Sequence, residues 1–184
     1  MTSRKWPAST CHLRSGVYQR LLLWQLFSHA DICIPPAVHQ ELQLGLNRKK
    51  LHLEVVLQAI NAGQLEVLDL SLKEQSLAQR LPPKLNAGEC EAIALSQNRK
   101  VPLLSNDKRA IRYCNDNGIN VTGLPTVLNL LWTRGVIEQD EVNSLIDKME
   151  RNENLKLTSS QRTRIFAPPQ QKRRRRHRRR RRKS

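Results

Sequence analysis

The sequence has few aromatic residues and no apolar run long enough to cross a membrane. Phe, Trp and Tyr make up 4% of the 184 residues, so a core must be built mainly from Leu, Ile, Val and Ala. The longest apolar candidate, residues 21–27, is far shorter than the roughly 18–20 residues of a membrane-spanning helix. Arg14 and Arg20 interrupt any apolar segment of the kind found in secretory signals. These features predict a cytoplasmic protein without a membrane partner.

The cysteines and glycines lack the spacing of several common sites. The four cysteines lie far apart and form no CxxC pair, and with five scattered histidines they do not match a zinc-finger spacing. The chain contains no GxGxxG, GKT, GKS or GxSxG string, which disfavours dinucleotide-binding, P-loop and nucleophile-elbow chemistry. Reduced, buried cysteines in a cytoplasmic chain are the simplest interpretation.

Positive charge is concentrated at the C-terminal end of the chain. Lys and Arg number 32 against 16 acidic residues, which gives a formal net charge of +16. Eleven of these bases lie between Lys172 and Lys183, so the remainder of the chain carries a net charge of only +5. The chain therefore consists of a mildly basic body and a strongly basic end, which require separate interpretations.

Short apolar segments alternate with helical periodicity over most of the chain. Four segments are predicted as strands: residues 31–34, 65–70, 101–105 and 119–121. Helices are predicted around and between them, over residues 13–27, 36–45, 49–62, 71–79, 88–98, 108–117, 124–134 and 138–150. This alternation predicts an α/β fold with three layers, α/β/α, around a short central parallel sheet. We predict a domain over 1–151, a polar linker over 152–171 and a disordered, arginine-rich tail over 172–184.

Acidic side chains fall near the predicted ends of strands. Asp107 directly follows one strand, Glu41 lies in the helix after another, and Glu89 and Glu91 lie in the first turn of a helix. Ligands of open parallel sheets bind outside the carboxyl ends of the strands, so these acids can converge on one edge. Clustered carboxylates repel one another and favour a divalent counter-ion, for which Mg²⁺ or Mn²⁺ is suited by its preference for oxygen ligands.

Each of these acids also has a purely structural interpretation. Glu89 and Glu91 could serve only to start a helix, because acids in the first turn interact favourably with the helix dipole. Asp107 could simply cap the helix that follows it, and Glu41 could lie on a solvated face. The order and context of all four acids, taken together, favour a metal site.

Four stretches of sequence occur in an order typical of one enzyme family. They are IPPAVHQEL at 34–42, LNAGECEAIAL at 85–95, LLSND followed by RAIR at 103–112, and GINVTG followed by Leu128 and GVI at 118–137. This ordered set, which spans about residues 21–150, resembles the PIN-domain family of metal-dependent ribonucleases. It is most similar to the branch of small prokaryotic proteins that includes the toxins of toxin–antitoxin pairs.

The resemblance implies roles for particular residues. Glu41, Glu89 and Asp107 would be catalytic, and Glu41, Glu89, Glu91 and Asp107 would hold Mg²⁺ or Mn²⁺; the family pattern does not decide between Glu89 and Glu91 as the helix-borne acid. A metal-activated water would hydrolyse RNA phosphodiesters. Ser105 matches a small hydroxyl position, and Arg112 would either contact the substrate or pair with an acid. An antitoxin protein and a second copy of the chain are the protein partners that it implies.

The N-terminal part of the chain departs from the family pattern. The family places an aspartate at the end of its first strand, whereas this chain has no acidic residue before Asp31. Pro7 falls near the position where that aspartate would stand. Because a metal site loses both charge and a ligand when one carboxylate is missing, we predict reduced or absent nuclease activity. The alternative function is a catalytically inactive nucleic-acid-binding protein.

The basic tail has two interpretations. It could be an arm that binds nucleic-acid phosphates with little sequence preference and a steep salt dependence, or it could be a low-complexity extension without a selected role. In the first case its nucleic-acid-binding residues are Lys172, Arg173, Arg174, Arg175, Arg176, Arg178, Arg179, Arg180, Arg181, Arg182 and Lys183.

Overall fold

The computed structural model describes residues 4–8, 22, 25, 26, 30–48, 53–153 and 156–168. This part of the chain contains five strands: β1 (Arg4–Pro7), β2 (Ala30–Ile34), β3 (Glu66–Val67), β4 (Leu103–Leu104) and β5 (Val121–Thr122). It also contains eight helices: α1 (Pro36–Asn47), α2 (Glu54–Asn61), α3 (Leu72–Gln79), α4 (Ala87–Arg99), α5 (Lys108–Asp116), α6 (Leu124–Thr133), α7 (Gln139–Glu153) and α8 (Ser159–Ile165).

The strands are parallel, and β1 lies at the centre of their arrangement. β2 pairs with β1 on one side and with β3 on the other, while β4 pairs with β5. Ala8, which follows β1, forms a parallel bridge with Leu104 of β4 and donates its backbone N–H to the carbonyl oxygen of Cys33 at 2.8 Å. The resulting order is β3-β2-β1-β4-β5, which confirms the predicted parallel α/β sheet.

Two hydrophobic clusters cover the two faces of the sheet. Successive strand residues point to opposite faces, and the neighbours Leu103 and Leu104 accordingly belong to different clusters. Leu103 packs with residues of α4 and α5, such as Ile93 and Ala110. Leu104 packs with residues of α6 and α7, such as Leu128. The sheet is thus the middle of three layers, as the alternation of elements predicts.

Local sequence signals determine where several helices begin. Pro36 occupies the first position of α1, where its fixed φ suits a helix and its missing N–H has no cost. Helices α3, α4 and α8 each begin with a reciprocal capping box between an N-cap side chain and the residue three positions later. For α4 these two residues are Asn86 and Glu89, so the capping box places a candidate site residue.

The segment predicted as a polar linker, residues 152–171, contains the helix α8. Ile165 of α8 is completely buried, and its carbonyl oxygen accepts hydrogen bonds from Asn129 Nδ2, at 2.8 Å, and Trp132 Nε1, at 2.7 Å. Both donors lie on α6. Ile165 is the one buried side chain of α8, and polar contacts from Arg162 to Glu150 and from Arg164 to Thr126 also hold the helix. Because most of these contacts are polar, α8 leaves almost no hydrophobic periodicity in the sequence.

The structure changes the bounds of other predicted elements. The strand predicted over 65–70 is reduced to β3, and that predicted over 119–121 is displaced to β5. Most of the helix predicted over 13–27 lies outside the described residues, although Leu22 and Leu26 are helical. None of the described helices is long and apolar enough to span a bilayer.

Candidate active site

Asp107 stands at the carboxyl end of β4, where it begins helix α5. Its Oδ1 atom accepts hydrogen bonds from the backbone N–H groups of Arg109, at 2.7 Å, and Ala110, at 3.0 Å. Aspartate suits this position because its carboxylate satisfies N–H groups that have no partner within the helix. The completely buried Ser105 supports the turn, since its Oγ accepts a hydrogen bond from the Asp107 N–H at 3.2 Å.

Glu89 lies in the first turn of α4 and is almost completely buried, with 5% of its surface exposed. Its Oε2 atom accepts a hydrogen bond from the Asn86 backbone N–H at 3.1 Å, and Asn86 Oδ1 accepts one from the Glu89 N–H at 2.7 Å. Each residue therefore satisfies a backbone donor of the other at the helix start. Glu89 combines the structural role expected of a helix-start acid with a position at the candidate site.

A glycine allows Glu41 to approach the start of α4 closely. A Cβ atom added at Gly88 would lie 2.8 Å from Val38 Cγ2 and 3.1 Å from Glu41 Oε1. Both of these neighbours belong to α1. The two helices are so close here that only glycine fits at position 88. This close approach brings the Glu41 carboxylate beside Gly88, the residue before Glu89.

Replacing Gly88 with alanine is expected to destabilise the protein by about 1–3 kcal/mol, the usual cost of overpacking a core. Val38 is completely buried and cannot move aside freely. The loss should be visible in urea denaturation. Gly123→Ala is the matched control, because an added Cβ there meets no atom closer than 3.6 Å. Equal stability of the two variants would contradict the close approach, and Val38→Ala should partly rescue Gly88→Ala.

The negative charges of two other acids, Asp107 and Glu41, act on the Glu89 carboxyl. Burial is the main cause that raises the pKa of the Glu89 carboxyl above its usual value, and the hydrogen bond from Asn86 opposes this effect. The negative charges of Asp107 and Glu41 raise the Glu89 pKa further, while the positive charge of Arg109 lowers it. The structure thus brings the carboxylates of Glu41 and Asp107 within electrostatic range of Glu89 at the carboxyl edge of the sheet.

Glu91 faces a different neighbour from Glu89. Its Oε2 atom accepts a hydrogen bond from the backbone N–H of Ala37 at 2.8 Å. Ala37 lies in the first turn of α1, whose N-cap residue Pro35 provides no side-chain cap. Glu91 therefore satisfies the start of α1 from the neighbouring helix α4. Of the two acids that the sequence leaves open, the structure places Glu89 with Asp107 and Glu41.

The carboxylate oxygens of this site are the kind of ligand that a hard divalent cation prefers, but the site contains few of them. A cation would offset the negative charges of Asp107 and Glu41, which add to the effect of burial in raising the pKa of Glu89. Among the residues that the structure describes, however, no three His, Cys, Asp or Glu side chains form a group that could hold a metal ion. The end of β1, with Pro7 followed by Ala8, contributes no carboxylate to this edge.

Two arginines of α5 are relevant to this acidic cluster. Arg109, which the sequence interpretation includes only as part of a motif, donates from Nη1 to the Lys84 carbonyl oxygen at 3.0 Å and is the cation whose charge acts on Glu89. Arg112 is exposed on α5, and its role in substrate binding stays a prediction. The basic residues of 172–183 lie outside the described part of the chain.

Fold and site together define a parallel α/β domain with an acidic cluster at the carboxyl edge of its sheet. A family model for DUF3368, a PIN domain, matches residues 17–167. The chain therefore belongs to the PIN-domain family, as the four sequence segments indicate. PIN domains have a nuclease-like fold, generally use divalent metal ions and generally interact with nucleic acids.

The comparison with solved structures gives a remote similarity. One similar structure is a domain of a functionally unknown protein from Methanocaldococcus jannaschii, with 20% sequence identity and a TM-score of 0.45. The similarity covers 66% of this chain and 91% of that domain. No curated protein sequence matches the chain significantly.

Proposed function

We propose that this PIN domain is a ribonuclease that hydrolyses RNA phosphodiesters with the help of Mg²⁺ or Mn²⁺, at a lower rate than a domain with a complete acidic site. The convergence of Glu41, Glu89 and Asp107 at one edge of the sheet carries this proposal. Parallel α/β sheets bind ligands at that edge. The toxin role and the antitoxin partner are proposed on the sequence resemblance alone.

The three acids have distinct tasks in this proposal. Asp107 and Glu89 would hold the cation, and Glu41 would add negative charge from α1. The bound cation would supply an activated water and stabilise the charge that develops on the phosphate. With so few protein ligands, we expect weak metal binding, because each missing carboxylate removes both charge and a donor atom.

Glu89→Gln is expected to weaken Mn²⁺ binding about tenfold or more while the fold persists, because a ligand oxygen loses its charge. Glutamine can keep the capping box, so the start of α4 should remain intact. Calorimetric titration of the full chain with Mn²⁺ measures the change. The proposal also expects Mn²⁺ to raise the Tm of the wild-type protein by more than that of the variant.

Glu141→Gln is a closely matched control for this experiment. Glu141 is also in the first turn of a helix, α7, and its Oε2 accepts a hydrogen bond from the Glu138 backbone N–H at 2.8 Å. Glu141 is exposed, whereas Glu89 is almost completely buried. Equal Mn²⁺ affinity in Glu89→Gln and Glu141→Gln, or no saturable Mn²⁺ binding by the wild-type chain, would refute the proposed metal site.

A second candidate function is nucleic-acid binding without catalysis. The small number of converging carboxylates and the eleven bases between Lys172 and Lys183 favour it. Under this hypothesis RNA binding requires no metal and depends steeply on salt, because each neutralised phosphate releases counter-ions. Binding that persists in chelator, together with no cleavage in Mn²⁺, would favour this candidate. An unchanged salt dependence after deletion of residues 172–184 would refute the binding arm.

A further inference from the structure

A cleft with a volume of about 710 Å³ lies between α5, α8 and the start of α6. Its lining is basic, since it contains four positively charged residues and only one carboxylate, that of Asp116. The four are Lys108 and Arg112 on α5 together with Lys156 and Arg164 on or beside α8. Cations on opposing walls would repel one another in an empty cleft, so the arrangement favours a negatively charged occupant.

The cleft begins beside the candidate active site. Asn106 and Lys108, the chain neighbours of Asp107, both line it. On the other side of α5, Lys108 and Arg112 also line a second cleft, of about 510 Å³, with Lys84 and Arg109. The positive charge therefore continues along both sides of α5, and this extended row suits a repeating polyanion better than a single small anion.

The start of α6 adds to the positive character of the cleft. Gly123 is the N-cap of α6 and provides no side-chain cap, and this first turn lines the cleft through Gly123, Pro125 and Thr126. The helix dipole places partial positive charge at this end. Arg164 is held at the same place, because its Nη2 donates a hydrogen bond to Thr126 Oγ1 at 3.0 Å.

We propose that this cleft binds the phosphate backbone of a single RNA strand and leads the strand past Asp107. The inference rests on the proposed ribonuclease function for its choice of polyanion. It assigns Lys156 and Arg164, which belong to the segment that the composition predicts as a linker, as substrate-binding residues. The apolar side chains of Ile111 and Leu157 in the same cleft provide surface for the sugar edges between phosphates.

The double variant Lys156→Ala/Arg164→Ala tests the α8 wall of the cleft. A non-cleaved single-stranded RNA oligonucleotide is titrated onto the full chain in chelator over a range of salt concentrations. The slope of log K against log salt should become shallower by about 1.4, since each lost phosphate contact of a single strand contributes about 0.7. Lys156→Arg/Arg164→Lys retains both charges and should keep the wild-type slope, which separates charge loss from a folding defect.

Lys73→Ala/Arg80→Ala is the matched control, because both residues are exposed on or at the end of α3 and line neither cleft. An equal change of slope in this control, or no change in the cleft variant, would overturn the inference. If polyglutamate binds and the cleft variant loses that binding to the same extent, the cleft belongs to acidic peptides and the inference is overturned.

The RNA-binding assay contains no metal, so it is independent of cleavage. A chain that binds RNA through the cleft but never cleaves it therefore contradicts only the ribonuclease proposal.

Discussion

Replacing Arg99 with alanine is expected to lower the free energy of unfolding by about 3 kcal/mol, the largest stability effect predicted for this protein. Glu74 is 1% exposed, and its two carboxylate oxygens accept hydrogen bonds from Arg99 Nε, at 2.7 Å, and Nη2, at 2.9 Å. Asn98 and Ser71 complete its hydrogen bonding. Removal of the guanidinium leaves a buried carboxylate without its counter-charge.

The pH dependence of stability gives an independent check on this pair. The hydrogen bond from Arg99 is the main cause that lowers the pKa of Glu74 from 4.5 to about 2. A lowered carboxyl pKa stabilises the folded state above the pKa of the unfolded chain, and that stabilisation is lost as the pH falls towards the folded value. In Arg99→Ala most of this dependence between pH 4.5 and 2 should disappear.

Urea denaturation is the appropriate measurement, because guanidinium chloride would screen the ion pair. Arg80→Ala removes an exposed arginine from the end of α3 and should change stability by no more than about 0.5 kcal/mol. Simultaneous replacement of Glu74 and Arg99 by leucine and methionine should cost much less than Arg99→Ala. A loss as small in Arg99→Ala as in Arg80→Ala would contradict the stabilising role of the ion pair between the half-buried Arg99 and the buried Glu74.

Asp107→Asn is expected to reduce Mn²⁺-dependent RNA cleavage about 100-fold, because a metal ion contributes several kcal/mol of transition-state stabilisation. Asparagine is as good an N-cap residue as aspartate and can accept the same hydrogen bonds from Arg109 and Ala110. The Tm should therefore change little. Cleavage of a labelled single-stranded RNA by the full chain measures the loss of activity.

Asp140→Asn serves as the control, since Asp140 is an exposed acid in the first turn of α7 and is not one of the acids whose charge acts on Glu89. Cleavage by Asp107→Asn at the wild-type rate would show that Asp107 only caps α5. A lower Tm in Asp107→Asn together with lower cleavage would indicate a folding defect rather than a lost ligand. The two readouts therefore separate the chemical role of the carboxylate from its structural role.

Local signals in the sequence were sufficient to predict much of the candidate site. The position of Glu89 in the first turn of a helix and that of Asp107 after a short apolar strand depend on neighbouring residues only. The parallel sheet follows from the alternation of strands and helices. The family assignment, which is confirmed, rests on the order of these local segments along the chain.

Contacts between distant segments were not predictable from the same signals. Glu91 looks equivalent to Glu89 in the sequence, but only the packing of α4 on α1 directs it to the Ala37 N–H. The role of Gly88 also depends on a neighbour some fifty positions earlier in the chain, since its space is limited by Val38. Neither contact leaves a periodic pattern of its own.

The sequence by itself determined the family, the parallel α/β arrangement and the candidate acids, because strand, helix and cap preferences act over a few residues. The tertiary structure alone decided that Glu41 and Asp107 act on Glu89, and that α8 forms one wall of a basic cleft beside them. Electrostatic interactions and packing depend on distance in space. The sequence around a residue does not reveal which distant residues will lie near it in the folded chain.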